Sequence, residues 1–334
     1  MKKKAIQLLI GISILLLVAN ILIELFEKDN DEKIPGDVSV AVVDSLFGEV
    51  LDEYGIEREW IKRRKLFENV ADSISHYYEI ILPPDIPTPF IINDVKNKLN
   101  QPAIKLTSEE IGSYGTSNVK IFSNNVVKLI VKFKYDKKIH RPFAQLSFII
   151  DNAGDMNGDD FLQLIKEPFP FAVAIIPSKE NELKKNLIQE YDKEYALLLN
   201  DKIDDSQFRL STSLSKGLLR GSVGSIVTSF HDAVFYIIDE RSELYRSAVY
   251  NFIRDEFKRR GIRLRTRSWF VKMTSTDKEE IISLLDFYCT SGRSKEGKKI
   301  LISAEGFESL SEEIEKAKKK GHKFVLPSKL NSSK

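Results

Sequence analysis

The chain has 334 residues, 42% of them hydrophobic, and carries 51 lysines and arginines against 49 aspartates and glutamates for a formal charge of +2. That balance excludes a global field recruiting nucleic acid or another polyanion, and no nucleic-acid partner is expected. The length allows one large core or two moderate ones, and the single cysteine, Cys289, fits a chain that avoids stray thiols in an oxidising compartment.

Met1-Lys2-Lys3-Lys4 precedes an uncharged run over 5–23. At about 1.5 Å per residue this run nearly spans a hydrocarbon core of ~30 Å, with Phe26 available to extend it. Residues 1–26 are therefore expected to form an uncleaved signal anchor. The three lysines place the N-terminus inside, so the chain is expected to cross the cytoplasmic (inner) membrane once with its body exported, periplasmic or extracellular. A cleaved signal peptide is the rival reading. Its apolar region would be only ~7–15 residues, and Val18-Ala19-Asn20 makes a poor cleavage site. Residues 27–36 are charged and end in Pro35-Gly36, the composition of a short tether.

A small α+β domain is expected over 37–140. Asp37 is a candidate N-cap for a helix carrying Val43, Leu46, Phe47, Val50, Leu51 and Tyr54 on one stripe, with Gly55 as its stop. A second helix is expected over 60–70, a strand over 76–82 before Pro83-Pro84, and a helix over 88–99. Strands over 119–122 and 126–135 flank Asn124-Asn125 as a hairpin.

Strands and helices alternate from Gln145 onward. Strands are expected over 147–150, 172–176, 195–198, 222–227, 262–265, 299–302 and 323–326, and helices over 157–166, 180–190, 241–260, 277–290 and 307–320. This α/β rhythm predicts an irregular (β/α) barrel. Phe148-Ile149-Ile150-Asp151-Asn152-Ala153-Gly154 is an apolar run that ends in two polar residues before a glycine, which puts their side chains at a strand mouth. Phe171 to Ile176 repeats the apolar run and closes on Pro177-Ser178. Other chemical motifs fail on spacing: Ser225 lacks the second glycine of a nucleophile elbow, and Gly221-Ser222-Val223-Gly224 is too short to cradle phosphates. Cys289 shares a helix with Ile281, Leu284, Leu285 and Tyr288, which assigns it to a core. Arg263, Arg265 and Arg267 alternate along one strand face. That face is either an outer one covered by acidic helix residues, the reading preferred, or an inner and upper one open to a carboxylate or phosphate.

The segments from Phe148 and Phe171 resemble the opening of the divergent polysaccharide deacetylases, a branch of the NodB-homology carbohydrate esterase superfamily, whose first strands end in Ile-Asp-Asp-Leu-Gly and Ile-Leu-Pro. The likeness runs on through Gly221 to Gly224, Arg259 to Arg267 and Leu326-Pro327-Ser328, and covers 144–330. It implies a barrel of the glycoside hydrolase/deacetylase type and an N-deacetylase chemistry in which one aspartate is the general base while another, with histidines, holds a divalent metal such as zinc. Asp151 matches the base. The remaining positions depart from the pattern: Asn152 replaces the second aspartate, Leu199 the histidine of His-Leu-Pro-Met-Glu, Thr228 that of Asn-Asn-His-Met-Gly-Ser, and Ala304 falls in Ser303-Ala304-Glu305-Gly306 where Gly-His-Pro-His is expected. Arg265-Thr266-Arg267 stands for Asp-Ser-Arg. Only four histidines exist, His76, His140, His231 and His322, and His231 lies three residues beyond its slot.

The resemblance thus implies a degenerate member with no cofactor, whose cleft is lined by Asn152, His231 and Arg267 and which binds an envelope glycan or envelope protein without hydrolysis. Its expected membrane contact is through the N-terminal helix. Two alternatives stand beside this: an active deacetylase of an amino-sugar polymer such as peptidoglycan, with Asp151 as base and a metal on Asn152 and His231, and a structural or interaction protein acting through its N-terminal domain.

Overall fold

The computed structural model describes residues 36–66, 74–111, 115–291 and 297–330. The segment 1–26, expected to cross a membrane, lies outside them, and no helix among the described residues is long and apolar enough to do so. The chain divides into two compact units, with the change at His140/Arg141.

In the first unit, helix α1 (Val40–Glu53) buries Val43, Phe47, Val50 and Leu51. Its N-cap is Ser39, which accepts from the Val42 amide, and not Asp37, whose carboxylate accepts from Ser123 Oγ at 2.8 Å. Gly55 takes φ 63° just past the helix, the left-handed conformation that ends it at no steric cost. The helix expected over 60–70 is absent as far as residue 66: a 3₁₀ turn at Arg58–Trp60 leads into strand β1 (Ile61–Lys65), paired antiparallel with β2 (His76–Leu82). Four consecutive basic residues, Lys62 to Lys65, cannot supply a helix with an apolar stripe, whereas an exposed edge strand tolerates them and is protected by them. Helix α2 (Thr88–Lys98) follows, then β3 (Ile104–Ile111), which sequence patterning did not find, β4 (Thr116–Ser123) and β5 (Val126–Tyr135). The sheet order is β1-β2-β5-β4-β3. Asn124 and Asn125, at φ 47° and 62°, form the two-residue turn expected between β4 and β5.

The second unit is α/β, built on a parallel sheet curled into a half-barrel. Its elements in chain order begin with β6 (Gln145–Asp151), α3 (Gly158–Ile165), β7 (Phe171–Ile175), α4 (Lys179–Glu190), β8 (Glu194–Leu199), α5 (Lys216–Ser229) and β9 (Tyr236–Ile238). They continue with α6 (Glu243–Arg246), α7 (Tyr250–Arg259), β10 (Leu264–Thr266), β11 (Val271–Met273), α8 (Lys278–Ser291), β12 (Lys298–Ser303), α9 (Ala304–Glu308), α10 (Ser311–Lys319) and β13 (Lys323–Phe324). The order is β10-β9-β8-β7-β6-β12-β11, with β13 added to the start of β6, so β10 and β11 are the two edges and the barrel is open between them.

Three expectations are corrected here. Residues 222–227 are not a strand but the middle of α5, where Ser215 caps the amino end and Leu219, Ser222, Val223 and Ile226 form the buried stripe. The fourth strand is instead β9, which the sequence reading passed over. The helix expected over 241–260 is two, α6 and α7, separated at Ser247, which takes an extended conformation.

Strand alternation sorts the core. Phe148, Ile150, Val173, Ile175, Leu197, Leu199, Tyr236, Ile238, Ile300 and Ile302 pack under helix residues such as Phe161, Ile188, Val223, Phe257, Leu285 and Phe307. The opposite, concave face carries Ile149, Ala172, Ala174, Ala196, Leu198, Ile237 and Leu301. Strands apolar on both faces read as continuous runs, which is why β6 and β7 were evident in the sequence. Small alanines on the concave face leave room within the curl.

Candidate functional site

All strands of the half-barrel run the same way, so their carboxyl ends share one rim. Asp151 ends β6, Asn152 follows it, Ile176 follows β7, Asn200 to Lys202 follow β8, Asp239 to Ser242 follow β9, and Arg267 follows β10. Asn152, Asn200, Lys202, Arg241, Ser242 and Arg267 are among the residues lining a cleft of about 480 Å³ at this rim. Such strand ends are where parallel sheets gather polar groups, because the main chain there leaves the ladder and side chains turn upward.

Arg267, one of the lining residues, is held in an ion pair with Asp151. Arg267 Nη2 donates to Asp151 Oδ2, and Arg267 Nη1 lies 4.0 Å from Asp239 Oδ2. The backbone of Arg267 is held too: the Arg267 and Ser268 amides donate to the two carboxylate oxygens of Glu240 at 3.1 and 2.9 Å. Asp239 Oδ1 in turn accepts from the Arg241 amide at 3.0 Å and from its Nε at 3.3 Å. Burial works to raise the Asp239 carboxyl, but the hydrogen bonds from Arg241 and the charges of Arg241 and Arg267 together hold it below the usual range. Burial opposes ionisation of Glu240 in the same way, and the hydrogen bonds from Ser268 hold it low.

Asp201 at the rim is also engaged. Asp201 accepts from the Glu243 and Leu244 amides at 2.6 and 2.8 Å, capping α6 across the cleft, while Ser242 Oγ donates to the Asp239 carbonyl at 2.6 Å. Asn200 Oδ1 accepts from the Lys202 amide at 2.9 Å and shapes the turn.

The structure brings Asp151, Asn152 and Arg267 together. It places the other candidates elsewhere. Leu199 points into the helix-covered core, and the next residue, Asn200, is the one that reaches the cleft. Thr228 lies on α5 and Ala304 is the buried first residue of α9. His231 precedes β9 and so sits at the opposite end of the sheet from Asp151; it is 68% exposed, with Nε2 3.2 Å from Asp232. It does not line the cleft. The preferred reading of the arginine strand is also overturned: Arg265 pairs in register with Ile237 on the concave face, and Arg267, two residues on, shares that face.

Asp239, Glu240 and Arg241 were missed by the sequence reading, although a signal existed. Tyr236-Ile237-Ile238-Asp239 repeats the apolar run ending in aspartate seen at Phe148 to Asp151, and Asp239-Glu240-Arg241 supplies the Asp-x-Arg spacing that was sought at Arg265 to Arg267.

A divalent metal does not fit these donors. Among the described residues no group of three or more His, Cys, Asp or Glu side chains converges as a metal site. Asp151 faces a guanidinium, Asp201 and Asp239 accept backbone amides, and Asn152 offers only an amide.

No family model and no curated protein matches the chain. Solved structures similar to it include the catalytic domain of a peptidoglycan N-acetylglucosamine deacetylase from Eubacterium rectale (9% identity, 58% of this chain and 93% of that one, TM-score 0.40). Others are a CE4 family pseudoenzyme from Bacillus anthracis (12%, 68% and 89%, 0.37) and PdaA of Bacillus subtilis, a family 4 carbohydrate esterase (13%, 57% and 80%, 0.34).

Proposed function

We propose that the chain is a deacetylase-like protein that binds an envelope glycan in the cleft at the carboxyl ends of β6 to β10 and does not hydrolyse it. The observation that carries this reading is the Asp151–Arg267 ion pair. A general base must be able to reach and accept a proton from an activated water, and here the carboxylate in the base position accepts from a guanidinium instead. Activation of that water at neutral pH by a metal would require donors that the rim acids, committed to amides and guanidinium groups, do not offer. What remains toward solvent, including Asn152 and Lys202, suits the hydroxyl and acetamido groups of an amino-sugar polymer. The N-terminal helix would hold the protein at the outer face of the cytoplasmic membrane, within reach of such a glycan.

Acetate release from N-acetylated glycan oligomers, with and without zinc or cobalt, is the test. No release, together with binding that survives chelation, is expected. Replacing Asn200 or Lys202 by Ala should weaken that binding about 5- to 10-fold each, the worth of one hydrogen bond to a ligand. Acetate released by the unmodified protein and abolished in Asp151→Ala would establish an active enzyme instead.

A further inference from the structure

The near-neutral total charge conceals a local imbalance on the sheet of the first unit. Among the described residues both helices of that unit, α1 and α2, pack on one face, against Ile80, Val119, Ile121, Val131 and Phe133. Strand alternation puts Lys62, Arg64, Lys105, Lys120, Lys132 and Lys134 on the other face, where the carboxylates are those of Glu79 and Glu109. We propose that this face binds an acidic polysaccharide, a chain of sugars with carboxylate groups repeated along it. The site is separate from the cleft of the half-barrel and does not depend on what that cleft takes.

The cations fall into two groups. Glu79 accepts from Lys134 Nζ and, at 3.4 Å, from Arg64 Nε, so these two are already neutralised. Lys105, Lys120 and Lys132 make no ion pair among the described residues. Register sets these three in a line. Lys105 stands opposite Phe122, Lys120 opposite both Thr107 and Ile130, and Lys132 opposite Asn118, so each is one diagonal step of about 7–8 Å from the next across β3, β4 and β5. A single small anion could not meet all three, whereas a chain with repeated charge can. β4 and β5 are interior strands, so protection of a sheet edge does not account for Lys120 and Lys132. The neutral neighbours point to the class of chain. Thr107 beside Lys120 and Asn118 beside Lys132 offer a hydroxyl and an amide to sugar hydroxyls. Single-stranded nucleic acid would want an aromatic ring under successive bases, and along this line Phe122 alone supplies one.

The full chain is to be titrated with polygalacturonate, neutral dextran and a single-stranded thymidine oligomer. Polygalacturonate should bind in 50 mM NaCl and weaken about 10-fold or more in 200 mM, and dextran should not bind. Lys120→Glu should weaken binding about 10-fold, while Lys120→Arg should hold it within about 2-fold. Lys96→Glu makes the same charge change at an exposed position of α2, on the helix side of the sheet, and should also stay within about 2-fold. Lys120 is exposed, so its variants should melt within about 2 °C of the wild type; should Lys120→Glu fail to fold, Lys120→Gln makes the same comparison. Absence of polygalacturonate binding in 50 mM NaCl would overturn the proposal. So would dextran bound equally well, equal losses in Lys120→Glu and Lys96→Glu, or the oligonucleotide bound more tightly than polygalacturonate.

Discussion

Asn152 takes φ 61° and ψ 4° immediately after the strand that delivers Asp151, and its own amide donates back to Asp151 Oδ1 at 3.1 Å. Asparagine tolerates this left-handed conformation better than other residues with a Cβ, so its place beside the aspartate is set by the backbone as well as by chemistry. Asn152→Ala should therefore cost about 1 kcal/mol, read as a lower urea midpoint, while Asn152→Gly should cost nothing or stabilise slightly. If both variants lose the same amount, the residue is held by side-chain contacts and not by φ. The rim acids make a pH prediction. Asp239 and Glu240 have folded carboxyls below their ordinary values, so each adds stability that is complete above the unfolded range of about pH 4 and is lost as pH falls through the lowered folded value. Unfolding midpoints measured from pH 7 down to pH 2 should fall on the acid side, and Asp239→Asn should make that fall shallower. An unchanged acid slope in the variant would mean that Asp239 is not one of the groups responsible.

At the scale of elements, α9 is tied to the sheet through one aromatic side chain. Phe307 is fully buried, with its ring 5.1 Å from that of Phe171, 5.3 Å from Phe148 and 6.3 Å from Phe169, so one short helix touches both β6 and β7. Phe307→Ala should cost about 3–5 kcal/mol in denaturant titration, the range for an aromatic removed from a packed core; a loss under about 1 kcal/mol would show that the site collapses around the gap. The same elements show what sequence patterning can and cannot resolve. Strands β6 and β7 were visible as apolar runs with sharp polar ends. Within α5, Ser222 to Val227 patterns as a strand because it is a short run holding Val223, Ile226 and Val227, and such a run has no period of its own. The Ser215 cap and the wider spacing of Leu219, Val223 and Ile226 carried the correct answer. β9, three residues long, escaped for want of length, and with it went Asp239. The Asp151–Arg267 contact could not have been read at all: 116 residues separate the partners, and only the curl of the sheet brings them together.

For the whole molecule, the near-neutral total charge conceals two units with separate apolar cores, one around Val43, Phe47, Ile80 and Phe133 and the other between the half-barrel and its helices. The second unit gathers its own first residues: Arg141 Nη1 donates to the Lys319 carbonyl at 2.6 Å, and the Ala144 amide donates to His322 Nδ1 at 3.1 Å. Gly321, at φ 98°, leaves the space that the Arg141 guanidinium crosses, since a Cβ there would fall 2.9 Å from Arg141 Cζ. A cut before Arg141 thus keeps ties that a cut at Ala144 would discard. The fragment 141–334 is expected to fold alone, and Cys289 is its natural reporter. Only 4% of that residue is exposed, and burial pushes its thiol up to about 12, so almost no thiolate exists at neutral pH. In the fragment Cys289 should resist a maleimide reagent as it does in the full chain and react quickly only in denaturant. Starting the fragment at Ala144 should lower the denaturant concentration at which protection is lost. Reaction of the 141–334 fragment at the unfolded rate in plain buffer would show that the half-barrel needs the first unit to fold.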